Sequence, residues 1–160
     1  MDDARMHMME LSQKGYYCSQ ILLSLALEAQ GKQDPDLIRA MAGLALGAGE
    51  GMGTCGALEG AACMIALYAA KGQDDEAEMD EFRLMLAELW EWFEKEVGAA
   101  YGGVTCDDIL ADGAPRKQRC GPIVDATYLK VIEILMEQGI DATEPRATEH
   151  PTTRPGAMEP

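Results

Sequence analysis

Five cysteines, at positions 18, 55, 63, 106 and 120, are the residues of this chain best equipped for chemistry. A thiolate binds metals and attacks disulfides, and backbone N–H groups or nearby cations stabilise it. Cys55 and Cys106 each directly follow a threonine, Thr54 and Thr105, of the kind that caps a helix. Cys18 opens the helical run SQILLSLALEAQ, and Cys120 stands just ahead of Gly121-Pro122, which reads as the start of the last helix. All four are therefore expected at helix N-termini, where unpaired N–H groups and a partial positive charge favour an anion. If those helix starts converge, the four sulfurs could hold a zinc ion or an iron-sulfur cluster. Their spacing includes no C-x-x-C pair and matches no zinc finger or ferredoxin run, so four separately buried cysteines remain the alternative. Cys63 lies eight residues beyond Cys55 on one helix, a rise of about 12 Å that keeps the two out of a single small metal centre. It reads as a small buried hydrophobe.

Other catalytic groups are sparse. His7 and His150 are the only histidines, and neither stands near a cysteine in sequence, which argues against a Cys–His nucleophile pair. Glu50 and Glu59 flank the cysteine motif and read as solvated. Arg116, Lys117 and Arg119 precede Cys120 and form a basic patch, suited to holding its thiolate, docking an acidic partner, or simply meeting solvent. Neither a Rossmann glycine pattern nor a P-loop lysine is present, so nucleotide binding has no basis.

The elements that must position the cysteines are helices. Helix formers dominate, and no strand-like alternation of Val, Ile and Thr occurs. The pattern predicts helices over 4–14, 19–29 and 35–47, the last with Asp34 as cap and Pro35 at its first position. A fourth runs from the Thr54 cap to Lys71, and a fifth spans 75–97. Short helices follow, Thr105 and Asp108 forming a capping box, and the last begins at Gly121-Pro122 and ends near Gly139. Gly56, Gly60, Cys63 and Leu67 share one face of the fourth helix and would let another helix come close. Trp90 and Trp92 cannot both face one core, which leaves one for an edge or subunit contact. The fold class is all-α: a compact bundle of six to seven helices, one domain over 1–139, with a disordered tail over 140–160 that holds four of the seven prolines.

A formal charge of −15 over 160 residues disfavours nucleic acid and anionic membranes as partners. No apolar run reaches the roughly 18 residues of a membrane span. No secretory leader pattern opens the chain, so the expected location is cytoplasmic, where five cysteines serve metal binding, catalysis or packing rather than disulfides. Aromatics are 6 % of the residues, so Leu, Ile, Ala and eleven methionines must build the core.

The order of an early cysteine, a glycine-rich turn, the sequence CGALEG at 55–60 and two later cysteines resembles the C_GCAxxG_C_C family of redox-active proteins. Residues 55–60 fit its CGAxxG motif at every specified position, and the likeness runs from about Tyr17 to the helix after Cys120. The resemblance implies a cytoplasmic helical redox protein whose four characteristic cysteines are Cys18, Cys55, Cys106 and Cys120. The leading expectation is electron transfer to a redox partner protein through an iron-sulfur cluster, 2Fe-2S for instance. Those four cysteines would ligate it, and Gly53 and Gly56 of the glycine-rich turn would offer backbone N–H groups. The alternatives are a metal-free thiol–disulfide protein, with Cys55 attacking and Cys120 resolving, and a structural zinc site in an interaction module. The tryptophan pair and the Gly56/Gly60 face allow a homodimer.

Overall fold

Apolar residues at helical spacing produce, over residues 2–144 described by the computed structural model, seven helices and one isolated antiparallel bridge, Thr54 to Thr105. They are α1 (Asp2–Gln13), α2 (Cys18–Ala29), α3 (Pro35–Met41, followed by a 3-10 turn, Ala42–Leu44) and α4 (Gly56–Ala69). Next comes α5 (Phe82–Phe93), prolonged by a π-turn (Glu94–Gly98) and a last turn (Ala99–Tyr101); α6 (Cys106–Ile109) and α7 (Arg116–Glu137) complete the order.

The centre of the bundle is α2, in which every residue from Ser19 to Leu27 is buried. A helix apolar on all sides belongs inside. Two of its three buried polar residues, Ser19 and Gln20, are satisfied by the end of α3. The Ser19 hydroxyl donates to the Met41 carbonyl at 2.7 Å, and the Gln20 amide donates to Ile38 at 3.0 Å. α4 packs across α2 at Gly60, where an added methyl would lie 2.7 Å from the Ser19 Cα. The small face of α4 thus invites a helix from within the chain. α5 and α7 close the core with Leu89, Phe93, Val131, Ile134 and Leu135.

Several boundaries differ from the sequence reading. α4 is capped by Cys55 rather than Thr54 and ends at Ala69. The helix predicted over 75–97 begins at Phe82, because its first turns are a run of acids that repel one another at helical spacing. That run instead folds back, the Met79 N–H donating to the Ala69 carbonyl at 2.9 Å. The last helix starts at Arg116, not at Gly121-Pro122, so Cys120 lies in its second turn rather than ahead of it. Pro115 provides the extended entry, and the good helix formers Arg116 to Arg119 precede Pro122, which sits inside the helix. Trp90 is 43 % exposed while Trp92 packs edge-on to Phe93, so the pair divides between surface and core as expected. The segment read as tail begins against the core: the Tyr68 hydroxyl donates to the buried Ala142 carbonyl at 2.7 Å. The remainder of that tail, 145–160, lies outside the described residues.

Candidate functional site

Two Thr-Cys dipeptides from opposite halves of the chain are zipped together by backbone hydrogen bonds. The Cys55 N–H donates to the Val104 carbonyl at 2.8 Å, and the Cys106 N–H donates to the Gly53 carbonyl at 3.3 Å. Below them the Asp107 N–H reaches the Gly51 carbonyl at 2.9 Å. In such a bridge successive side chains alternate between faces. With Thr54 opposite Thr105, Cys55 and Cys106 emerge together on the other face as a diagonal pair. The strands then turn at once into α4 and α6. Thr105 caps α6 through the capping box read from the sequence, its hydroxyl accepting from the Asp108 N–H at 3.1 Å.

The other two sulfurs arrive on longer helices. Cys18 is the first residue of α2, and the Gln20 side chain holds this start by accepting from the Tyr17 N–H at 3.0 Å. Its sulfur fits only because residue 56 is glycine, since a methyl there would lie 2.7 Å from the Cys18 Sγ. Cys120 comes from α7 and, with the other three, lines one cleft of about 750 Å3. All four sequence-predicted site cysteines are thereby brought together, and all are free thiols.

Their protonation states divide. Cys106 is lowered from 9.0 to about 6, first by the hydrogen bond it accepts from the Cys55 thiol. Burial opposes this, while the N–H groups of Gly56 and Gly47 and the charge of Arg116 assist. Cys55 is pushed strongly up for the complementary reason, because it keeps the proton that it donates to Cys106, and burial adds to the effect. Burial raises Cys18 to about 11 against the pull of the Ser19 N–H, and it raises Cys120 despite Arg116 and Arg119. The expectation that helix starts acidify all four sulfurs therefore holds at Cys106 alone. At Cys18 and Cys120 desolvation of the charged form wins, and at Cys55 the proton donated to Cys106 does, with burial second.

The cradle for that one thiolate is unusual backbone. Leu46, Gly47 and Ala48 take three consecutive left-handed conformations, with φ of 59°, 58° and 57°. This geometry costs a non-glycine residue roughly 1–2 kcal/mol, and here it turns the Gly47 N–H toward Cys106. Gly47 packs on Gly53, whose carbonyl holds the Cys106 backbone. Gly53 therefore contributes an acceptor rather than the N–H donor expected of it, and Gly56 contributes an N–H and room for a sulfur. The sequence reading did not single out Gly47; the repeated Thr-Cys dipeptide, read there as two helix caps, is the signal for the pairing that Gly47 supports.

The remaining candidates lie aside. Cys63 is half-buried on α4, raised by burial and by Glu59, and does not line the cleft. His7 bridges α1 to α2 through Glu28 at 2.8 Å. Arg119 pairs with Asp112 and lies over the Tyr101 ring at 4.4 Å, whereas Arg116 and Lys117 line the cleft. Among the described residues, the one trio of ligating side chains with donor atoms all within 4.8 Å is Glu88, Glu133 and Glu137. No three of the cleft sulfurs therefore lie within 4.8 Å of one another, although Cys55 and Cys106 are a hydrogen-bonded pair, whereas tetrahedral zinc at 2.3 Å would hold four thiolates about 3.8 Å apart.

The family model described as "Putative redox-active protein (C_GCAxxG_C_C)" matches residues 16–134. That span includes all four cleft cysteines. No curated protein and no solved structure matches the chain.

Proposed function

The chain belongs to the C_GCAxxG_C_C family of redox-active proteins, and from this premise we propose that Cys18, Cys55, Cys106 and Cys120 hold an iron-sulfur cluster that exchanges electrons with a partner protein. The carrying observation is that four cysteines from four separate elements line one cleft, with no three of their sulfurs as close together as a single zinc ion requires. Thiolate donors suit iron and sulfide. When bound, the cluster supplies one-electron chemistry. The chain supplies the rest. The N–H groups of Gly47 and Gly56 and the charge of Arg116 offset negative charge at Cys106, and the apolar walls limit water. Five free thiols support a cytoplasmic setting, and among the described residues no helix is long and apolar enough to cross a membrane.

Anaerobic purification followed by a visible spectrum and iron, sulfide and zinc analysis tests this. Iron with acid-labile sulfide is expected, reduced by serine at any of the four cysteines and retained in Cys63→Ser. A colourless, metal-free protein overturns the reading, and stoichiometric zinc without iron would replace it with a structural site.

A second reading has its own observation, the hydrogen-bonded Cys55–Cys106 pair. In a metal-free protein, the Cys106 thiolate would attack a partner disulfide and expel one partner thiolate. Cys55, losing its proton, would then attack the Cys106 sulfur of the mixed disulfide and expel the second. The partner gains two electrons as this pair is oxidised. The roles differ from the sequence expectation: Cys106 attacks and Cys55 resolves, in place of Cys55 and Cys120. Thiol counts falling by two on mild oxidation, with a Cys55–Cys106 peptide recovered, would favour it.

A further inference from the structure

We infer that the cleft in front of the cysteines binds a free, small organic acid with an apolar body. The inference stands on the cleft itself and survives whichever redox chemistry the sulfurs perform. A volume of about 750 Å3 is in the range of small-molecule sites. It also extends well past the sulfurs. α7 lines it from Arg116 to Asp125, a rise of about 13 Å, of which roughly 8 Å lies beyond Cys120. Met8, Ile21, Leu110, Ile123 and Val124 make its walls apolar, and Tyr16 and Tyr17 stand at its side.

Charge selects the sign of the occupant. The chain carries 28 acids against 13 lysines and arginines, yet Arg5, Arg116 and Lys117 line this cleft with one acid, Asp125. That acid is already engaged by Arg5 across α1 and α7. Elsewhere the acidic surface repels anions, so a local cationic rim over apolar walls concentrates them here. An apolar body in the cleft with a carboxylate or sulfonate toward Arg116 and Lys117 satisfies both features. Such a ligand would lie against the sulfurs and shield them from solvent.

Equilibrium dialysis of the full chain tests this without interference from colour. The probes are 8-anilinonaphthalene-1-sulfonate and the neutral N-phenyl-1-naphthylamine, which shares its rings but lacks the sulfonate. The sulfonate should bind once per chain and at least tenfold tighter than the amine, and decanoate should displace it better than decanol. Replacing Arg116→Gln and Lys117→Gln together should abolish the tenfold preference while leaving the amine unchanged. Met9→Trp, at a residue that lines the cleft and is 53 % exposed, should weaken both probes severalfold. Circular dichroism confirms that the variants fold. Equal affinities, or a sulfonate indifferent to these substitutions, overturn the proposal. Sulfonate binding lost on phosphatidylglycerol vesicles, or falling as protein concentration rises, would also overturn it by assigning the cleft to a membrane or a second copy. Iron measured on the same samples keeps the questions apart: iron-free protein that still binds the sulfonate sinks only the cluster reading.

Discussion

Two glycine-bearing stretches meet at Cys55, and they use the same residue for opposite reasons. Before it, Gly47, Gly49 and Gly51 have φ of 58°, 92° and 82° and let the chain follow a left-handed course around Cys106. After it, Gly56 and Gly60 sit in an ordinary helix, and what matters is the missing side chain. Gly60 admits the backbone of α2, and Gly56 admits the Cys18 sulfur. The loop supplies conformational freedom to the site, while the helix supplies close packing to both site and core. The difference teaches that a glycine-rich cysteine motif can be two devices in series, one local and one global.

Gly60→Leu should break the global device with the largest effect. Even the first carbon of a side chain at Gly60 would lie 2.7 Å from the Ser19 Cα and 3.0 Å from its carbonyl oxygen, both backbone atoms of the central helix. Overpacking of this kind costs about 3 kcal/mol or more when backbone must move. Chemical unfolding should show that loss, with the metal content falling only in proportion to the folded fraction. Unchanged stability would mean that α2 and α4 do not meet as described.

Gly47→Ala should break the local device instead. A methyl there meets the Gly53 oxygen at 2.7 Å and imposes left-handed strain of roughly 1–2 kcal/mol. Because its neighbours belong to the loop, they can shift and leave the helices intact. The expected result is a modest fall in stability but a large fall in iron content, or in Cys106 reactivity if the protein is metal-free. Equal losses of stability and site integrity would merge the two devices into one.

How far each device was legible follows from its physics. Helical identity, the Asp34 and Thr105 caps and the small face of α4 all rest on local spacing, so the sequence announces them. The convergence of Cys18, Cys55, Cys106 and Cys120 was suggested by their recurrence beside helix starts, although Cys120 proved to be one turn inside its helix. The split of protonation states was not legible. It depends first on the hydrogen bond from Cys55 to Cys106, then on which sulfur gathers the N–H groups of Gly47 and Gly56, and on burial at Cys18 and Cys120. Nor could the pattern reveal a left-handed Leu46 and Ala48, since neither residue prefers that conformation.

The split of protonation states sharpens the comparison in the reduced, metal-free protein. Cys106 titrates near pH 6 when folded against 9.0 for an ordinary thiol. Its thiolate contribution to stability is therefore complete above pH 9, fades as pH falls and is gone below about pH 6. Above pH 9 the raised thiols of Cys18, Cys55 and Cys120 act in the opposite direction, because unfolding then releases their protons. Stability should consequently rise from pH 6 to 9 and decline beyond. Alkylation of Cys106 should follow the same midpoint near 6, and Cys55→Ala, which removes the donor, should move it upward. Cys63, raised by burial and by Glu59, should react only at higher pH. A midpoint unmoved by Cys55→Ala would place the cause in the Gly47 and Gly56 N–H groups rather than in the sulfur pair.

The smallest effect isolates the cost of the loop alone. Ala48 is exposed and left-handed at φ 57°, so its methyl makes no core contact and meets only backbone strain. Ala48→Gly removes that strain, roughly 1–2 kcal/mol, but loosens the unfolded chain by somewhat under 1 kcal/mol. A net gain of about 0.5–1 kcal/mol should appear in chemical unfolding, with the thiolate midpoint of Cys106 unchanged. The same exchange at Gly60, reversed, has the opposite sign and a different origin, because there the backbone is relaxed and space is short. If Ala48→Gly instead destabilised the protein, the left-handed turn would be held by Ala48 itself, and the loop would be a packed element like the helix it precedes.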